Sequence, residues 1–241
     1  PIGSNENDEC KIDGISQSWA VISGAGEKEK CISAMNYLDN YLVDKENMII
    51  KLLTPPFSKT LLEPGYIKSY IPGVRENGGQ YTHGAVWSII ANAIMNNGER
   101  AGEYFRLINP IEHARTKENV LKYKVEPYVV SADVYSNPNM LGQGGWTWYT
   151  GSSSWLFIAG FEYVLGIKKI RDSLMICPCI PKEWESYTVE YKYKEALYII
   201  NVYNPEHKNT GIKTIYLDND EQEKNTVKLE KSGEHRIDIV M

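Results

Sequence analysis

Residues 81–96 constrain the fold more than any other stretch. They open on Tyr81-Thr-His83 and continue Gly84-Ala-Val-Trp-Ser-Ile-Ile-Ala-Asn-Ala-Ile94, apolar on almost every side at helical spacing. A helix without a polar face has to be enclosed by other elements. Residues 99–108 follow as an amphipathic segment closed by Asn109-Pro110, which reads as an outer partner. The same pairing comes earlier. Ile15, Trp19, Ala20, Val21 and Ile22 predict a short apolar helix ended by Gly24 and Gly26. Residues 27–42 then predict an amphipathic helix with Cys31, Met35, Leu38 and Leu42 on its apolar face. Residues 152–165 form a third apolar segment, ended by Gly166. Three buried helices, each entered through a polar, glycine-bearing loop, predict inner helices ringed by outer ones, their entry loops gathered at one mouth.

From about Lys168 the period becomes alternating. Strands are expected at 174–177, 187–193, 197–203, 212–217, 226–229 and 236–240, with Val189, Tyr191 and Tyr193 on one face and Glu190, Lys192 and Lys194 on the other. The expected fold class is therefore mainly α over 1–167, followed by a small antiparallel β-sheet module over 168–241. Residues 43–76 interrupt the helical rhythm with a short strand at 48–53 and the pairs Pro55-Pro56, Pro64-Gly65 and Pro72-Gly73. A loop of this length inside a compact domain is usually functional or disordered, and Tyr66, Tyr70, Arg75 and Glu76 favour the functional choice.

Composition narrows the function. A net charge of −5 without a basic cluster argues against a nucleic-acid partner. No apolar run is long enough to span a membrane. The four cysteines offer only Cys177-Pro-Cys179, one residue short of the spacing of a zinc or redox motif, so free, buried thiols in a reducing cytoplasm and no metal site are expected. Tyr (17) far outnumbers Phe (4), a bias that suits sugars, because a phenol ring covers a pyranose face while its hydroxyl bonds to it. The opening Pro1-Ile-Gly-Ser-Asn-Glu-Asn-Asp8 reads as a mid-domain loop of a longer protein.

Two loops carry the chemistry. Glu76-Asn-Gly-Gly-Gln-Tyr-Thr-His83 delivers polar side chains to a helix start, a place suited to an anion. Gly144-Gly-Trp-Thr-Trp-Tyr-Thr-Gly151 repeats the pattern before Ser152-Ser-Ser-Trp155. The expectation is that both meet over one pocket for phosphate and sugar. Each residue also has a plainer role: a core histidine for His83, a helix cap for Thr150, wall residues for Trp146, Trp148 and Trp155. His113 and Arg115 are expected on the surface, and His207 and His235 in turns of the sheet tail.

Read in order, Asn7-Asp-Glu-Cys-Lys-Ile-Asp13, Gln17-Ser-Trp-Ala20, Gly65-Tyr-Ile-Lys68, Arg75 through His83, Asn109-Pro-Ile111, Val125-Glu-Pro-Tyr-Val129, Gly144 through Gly151 and Pro178-Cys-Ile-Pro181 resemble the inverting sugar phosphorylases of glycoside hydrolase family 94. Their wording is most similar to the phosphorylase-like C-terminal region of cyclic β-1,2-glucan synthases. The resemblance covers roughly residues 3–185. It implies the second half of an (α/α)6 toroid followed by a small β-module, and reversible phosphorolysis of a β-glucoside to an α-sugar 1-phosphate. Inorganic phosphate is then a co-substrate and no cofactor is needed.

By the same resemblance, His83, Thr150 and Gly151 match phosphate-binding positions. Tyr66, Arg75 and Glu76 border the acceptor sugar, and Gln17 and Trp19 approach the donor sugar. Gln80 and Glu126 are counted with the sugar site, Glu126 either orienting a site residue or serving as a loop carboxylate paired with a lysine such as Lys124. The family's general acid, an aspartate in a Trp-Asn-Asp motif, lies upstream of the matching region. No such motif occurs here, so no catalytic residue is assigned; Asp8, Asp13 and Asp133 lack the matching context. Expected partners are an oligosaccharide or β-glucan, phosphate, the N-terminal half of the toroid and a second copy, without nucleic acid or direct membrane contact, in the cytoplasm. A non-catalytic carbohydrate-binding or scaffolding role and an inverting hydrolase of related toroid fold are the alternatives.

Overall fold

A computed structural model describes residues 2–148 and 150–241; Tyr149, in the second glycine loop, and Pro1 lie outside the described residues. The chain divides into two compact units, one running to Met95 and including Glu103–Phe157, the other comprising Asn96–Gly102 and Ile158–Met241.

The first unit is built on helices. α1 (Gly14–Ile22) is capped by Asp13, whose carboxylate accepts the Ser16 N–H at 3.0 Å. α2 (Lys28–Leu42) buries Cys31, Met35, Leu38 and Leu42, the four residues its spacing puts on one face. α3 (Thr82–Ile94) is buried on nearly all sides, including the polar Ser88 and Asn92, whose side chains turn back onto the carbonyls of Ala85 and Ser88 at 2.6 and 2.9 Å. α1 packs against both α2 and α3. α4 (Gly98–Ile108) brings Tyr104 into this unit, where its buried hydroxyl donates to Asp39 of α2 at 2.8 Å. The short α5 (Lys117–Tyr123), capped by Thr116, has too little periodicity to stand out in the sequence. α6 (Ser152–Ile158) continues as a π-helical turn, Ala159–Val164, with Leu165 N–H bonding to Gly160 O at 2.8 Å; the expected single helix changes pitch there. Among the described residues no helix is long and apolar enough to cross a membrane.

Six two-residue strands tie the loops to these helices: β1 (Ile12–Asp13), β2 (Val43–Asp44), β3 (Ile49–Ile50), β4 (Leu53–Thr54), β5 (Gln80–Tyr81) and β6 (Asp133–Val134). They pair antiparallel as β1–β4, β2–β3 and β5–β6. The strand expected over 48–53 is therefore two fragments with different partners. His113 corrects a surface expectation. The turn at Asn109-Pro110 tucks it against α5, where its ring stacks on Tyr123 at 4.4 Å and burial pulls its pKa down to about 4. Arg115 stays exposed, paired with Glu112 at 2.7 Å.

The second unit holds two sheets. β7 (Ile167–Ile170), β8 (Ser173–Ile176) and β13 (Thr226–Lys228) form one, in the order β13-β8-β7. β9 (Ser186–Tyr193), β10 (Glu195–Tyr203), β11 (Thr214–Leu217), β12 (Asp220–Glu221) and β14 (Ser232–Val240) form the other, in the order β12-β11-β14-β10-β9. The expected all-antiparallel module is corrected by one pair. β10 and β14 run parallel from Glu195↔Ser232 to Tyr203↔Val240, because three intervening strands return the chain to the starting end before β14 begins. This pair is also the core: Ala196, Tyr198, Ile200, Val202, Ile237 and Ile239 are fully buried. Asn96–Gly102 joins this unit through Glu99, whose carboxylate accepts the Lys182 N–H at 2.9 Å and the Asn209 amide at 3.1 Å. All four cysteines are free, but Cys177 is exposed, since it continues the alternation that buries Leu174 and Ile176.

His235 lies within β14 rather than in a turn. Opposite Tyr198 in the register, its ring stacks on that phenol at 4.9 Å and Nδ1 meets Asp218 at 2.8 Å. The Asp218 carboxylate raises the imidazole pKa, with the Ser232 carbonyl assisting. A raised folded pKa contributes stability below the unfolded value of about 6.5, which is lost as pH climbs through the folded value. The melting-temperature gap between the parent chain and His235→Ala should be wider at about pH 5.5 than at about pH 8.5; thermal denaturation at both pH values checks this.

Candidate functional site

The β5–β6 ladder sets Tyr81 opposite Asp133, and Thr82 N–H extends it to Ala132 O at 3.0 Å. On the other side of β6 the chain at 144–146 runs alongside: Gly145 N–H reaches Asp133 O at 2.9 Å and Ala132 N–H reaches Trp146 O at 2.7 Å. The two glycine loops are thus joined across one short strand. They enclose a cavity of about 590 Å³ lined by Arg75, Glu76, Tyr81, His83, Ala132, Asp133, Trp146, Thr150 and Gly151.

The loop carrying Arg75 and Glu76 is held from beneath by Asn77. Its fully buried amide accepts Phe57 N–H at 2.7 Å and donates to Phe57 O and Tyr70 O at 2.9 and 2.8 Å. Gly78 sits at φ +87°, and a side chain on Gly79 would press on the Arg75 carbonyl, so the paired glycines are required by this turn. The other end of the 57–77 segment is anchored by Glu9, whose carboxylate accepts the N–H groups of Ser58, Lys59 and Thr60 at 3.0, 2.8 and 2.9 Å. Arg75 itself takes a left-handed backbone, φ 50°, and lays its guanidinium over the rings of Tyr70 and Trp146 at 5.4 and 5.2 Å.

The cavity has two chemically different sides. On one, His83 is surrounded by aromatic rings: Trp87 at 5.1 Å, Tyr81 at 5.8 Å and Trp155 at 6.0 Å. Burial lowers its pKa, so at neutral pH it is an uncharged imidazole presenting one N–H. Gly151 lies against this ring, and a Cβ there would stand 3.3 Å from His83 Cε1. The Thr150 hydroxyl is shared with Ser152, meeting its Oγ at 2.6 Å and accepting its N–H at 3.1 Å. Thr150 is therefore a cap for α6 and a cavity wall together.

On the other side stand Arg75 and two acidic side chains. Asp133 is 4% exposed. Its Oδ1 accepts Trp146 N–H at 3.3 Å, and burial is the main cause of its raised pKa. Among the described residues, Asp133 Oδ2 and Glu76 Oε2 are buried without a hydrogen-bond partner. A buried acceptor left in that condition costs about 1–3 kcal/mol.

Of the residues singled out in the sequence, His83, Thr150, Gly151, Arg75 and Glu76 come together here. The others go elsewhere. Gln80 is buried and hydrogen-bonded, accepting Ile50 N–H at 2.9 Å and meeting Thr82 Oγ1 at 3.3 Å. Gln17 lines a separate cavity of about 630 Å³ with Asp8, Lys11, Tyr37 and Tyr41. Trp19, partly exposed, stands edge-on to Trp87 at 5.4 Å, one ring behind His83. Tyr66 is exposed and meets Tyr70 edge-on at 6.0 Å. Glu126 is half-buried and accepts Trp148 Nε1–H at 3.0 Å, the bond that chiefly lowers its pKa. Sequence reasoning passed over Asp133, although a lone carboxylate inside Val129-Val-Ser-Ala-Asp-Val134 is a visible anomaly. Among the described residues no group of three or more His, Cys, Asp or Glu side chains is placed to hold a metal ion.

Comparison with known proteins places the chain in a family. The model of the glycosyl hydrolase 94 superfamily catalytic domain matches residues 1–166. The chain is 50% identical over 202 residues to a cyclic beta-(1,2)-glucan synthase, NdvB, of Rhizobium meliloti, covering 84% of this chain and 7% of that protein. It is 29% identical over 221 residues to a solabiose phosphorylase of Paenibacillus borealis, covering 91% and 28%. It is also 29% identical over 217 residues to an N,N'-diacetylchitobiose phosphorylase of Vibrio proteolyticus, covering 90% and 26%. The chain thus spans less than a third of the length of each of these relatives.

Two measurements check the site's construction. Asn77→Ala should lower stability by roughly 1–3 kcal/mol, the cost of orphaned buried groups, and speed hydrogen exchange at Phe57 N–H. The His83 ring in the free protein should titrate below about 6.5, read from its proton chemical shifts.

Proposed function

The chain belongs to the glycosyl hydrolase 94 superfamily, and from that premise we propose that it supplies one wall of the active site of an inverting carbohydrate phosphorylase acting on β-glucosides or β-glucans. The observation that carries this reading is the cavity in which His83, Thr150 and Gly151 share walls with Arg75 and Glu76. Phosphate belongs on the His83 side. The imidazole N–H, the Thr150 hydroxyl and the Gly151 main chain are suited to its oxygens. The sugar belongs on the side of Arg75, Glu76 and Trp146, where hydroxyl donors find acceptors and the indole offers an apolar face.

In the proposed reaction a phosphate oxygen attacks the anomeric carbon from the face opposite the leaving group. The bond between that carbon and the bridging oxygen breaks, and an acid protonates the departing oxygen, leaving an inverted α-sugar 1-phosphate. Phosphate takes the place of water, so one acid suffices. By the family pattern that acid is an aspartate on a segment outside these 241 residues, as is a further arginine for phosphate. The helices of the first unit then form the second half of an (α/α)6 toroid, completed by that segment. The same reading gives inorganic phosphate as co-substrate, no cofactor, a cytoplasmic setting and self-association through apolar side chains such as Phe157 and Ile94, both exposed in this chain.

The reading is tested by calorimetry of inorganic phosphate on the intact protein that carries this chain. His83→Ala and Thr150→Ala should each weaken phosphate binding by about tenfold or more, while Glu76→Gln leaves it within about twofold. Phosphate affinity untouched by the first two substitutions would place the anion elsewhere and defeat the assignment.

A further inference from the structure

Asp133 has a job that the phosphate and sugar positions named so far leave open. It lies in β6, its own carbonyl held by Gly145 N–H at 2.9 Å and its Oδ1 by Trp146 N–H at 3.3 Å. A Cβ on Gly145 would collide with Asp133 Oδ1, so the bare glycine lets the neighbouring chain close over the carboxyl. With one oxygen fastened and the residue 4% exposed, the group is held in place. Among the described residues Oδ2 has no hydrogen-bond partner, and the residue lines the 590 Å³ cavity.

We propose that Asp133 is a sugar-binding and specificity-determining residue, its Oδ2 accepting a hydroxyl of the pyranose bound in the cavity. Three features favour a sugar hydroxyl over other partners. A carboxyl oxygen attracts O–H donors and repels phosphate, so this residue belongs with the sugar. Trp146, 55% exposed, stands beside it and offers an indole face to a pyranose ring. Glu76, with its own unpartnered oxygen in the same cavity, supplies a second acceptor, so the pair suits a polyhydroxylated neutral ring. The inference rests on the reading of the cavity as a sugar site, but not on the reaction carried out there.

The experiment is a cycle of residue against hydroxyl. Calorimetry on the intact protein measures D-glucose and its 2-, 3-, 4- and 6-deoxy derivatives against the parent, Asp133→Asn and Asp133→Ala, with inorganic phosphate as control. In the parent, loss of one particular hydroxyl should weaken binding by about tenfold or more. In Asp133→Ala glucose itself should bind that weakly, and removing the same hydroxyl should cost nothing more, while phosphate affinity holds within about twofold. The near-isosteric Asp133→Asn keeps the shape of the site should the alanine variant fail to fold, and it should lose a smaller part of the same discrimination. Parent-like discrimination at every hydroxyl in a folded Asp133 variant would overturn the assignment, as would a loss confined to phosphate. Loss of discrimination in a protein that forms no sugar phosphate would keep Asp133 as a sugar ligand and sink only the phosphorylase reading.

Discussion

Two facing residue pairs of an antiparallel ladder, Gln80↔Val134 and Tyr81↔Asp133, turn segments some fifty positions apart into one site. The ladder is short, but both sides are already held. Gln80 is tied to β3 through its amide, and β6 is flanked on its far edge by the chain at 144–146. Side chains alternate along a strand, so fixing Tyr81 opposite Asp133 fixes which groups face the cavity. A slip of one residue would turn Asp133 away and bring Val134 in. The position of His83, two residues beyond Tyr81 at the start of α3, follows from the same anchor.

The charge layout of the cavity is its most informative chemical feature. Burial among the aromatic rings around His83 favours its neutral imidazole. Arg75, Glu76 and Asp133 occupy the other side, with Arg75 stacked between two aromatic rings. A dianion beside two carboxyl groups would be repelled, whereas a sugar needs such acceptors. Under the proposed reading, that contrast assigns phosphate to the His83 group and sugar to the acidic one.

α2 and α3 were legible because their signal is local. The spacing of Cys31, Met35, Leu38 and Leu42 fixed one face of α2, and the unbroken apolar run of α3 could only be an interior helix. The first glycine loop was legible for the same reason, since the adjacent Gly78 and Gly79 advertise a turn, which the structure makes with Gly78 at φ +87°. What escaped was decided by distant partners. The parallel pairing of β10 with β14 depends on where three intervening strands leave the chain. His113 and His235 gained their surroundings from Tyr123 and from Asp218, neither of which is a neighbour in sequence. Gln80 looked like a ligand group beside His83, yet alternation across β5 turns it to the other face, against β3. Asp133 was visible as a carboxyl in an apolar stretch, but only the close approach of Gly145 and Trp146 shows that one of its oxygens is left over.

The most direct measurement is phosphorus NMR on the intact protein carrying this chain, incubated with a β-linked glucan and inorganic phosphate. A phosphorylase forms a sugar 1-phosphate of α configuration, consumes phosphate in equal amount, and leaves the glucan untouched when phosphate is omitted. Free reducing sugar released at the same rate with or without phosphate would contradict this, and would make the acidic side of the cavity the base of a hydrolase.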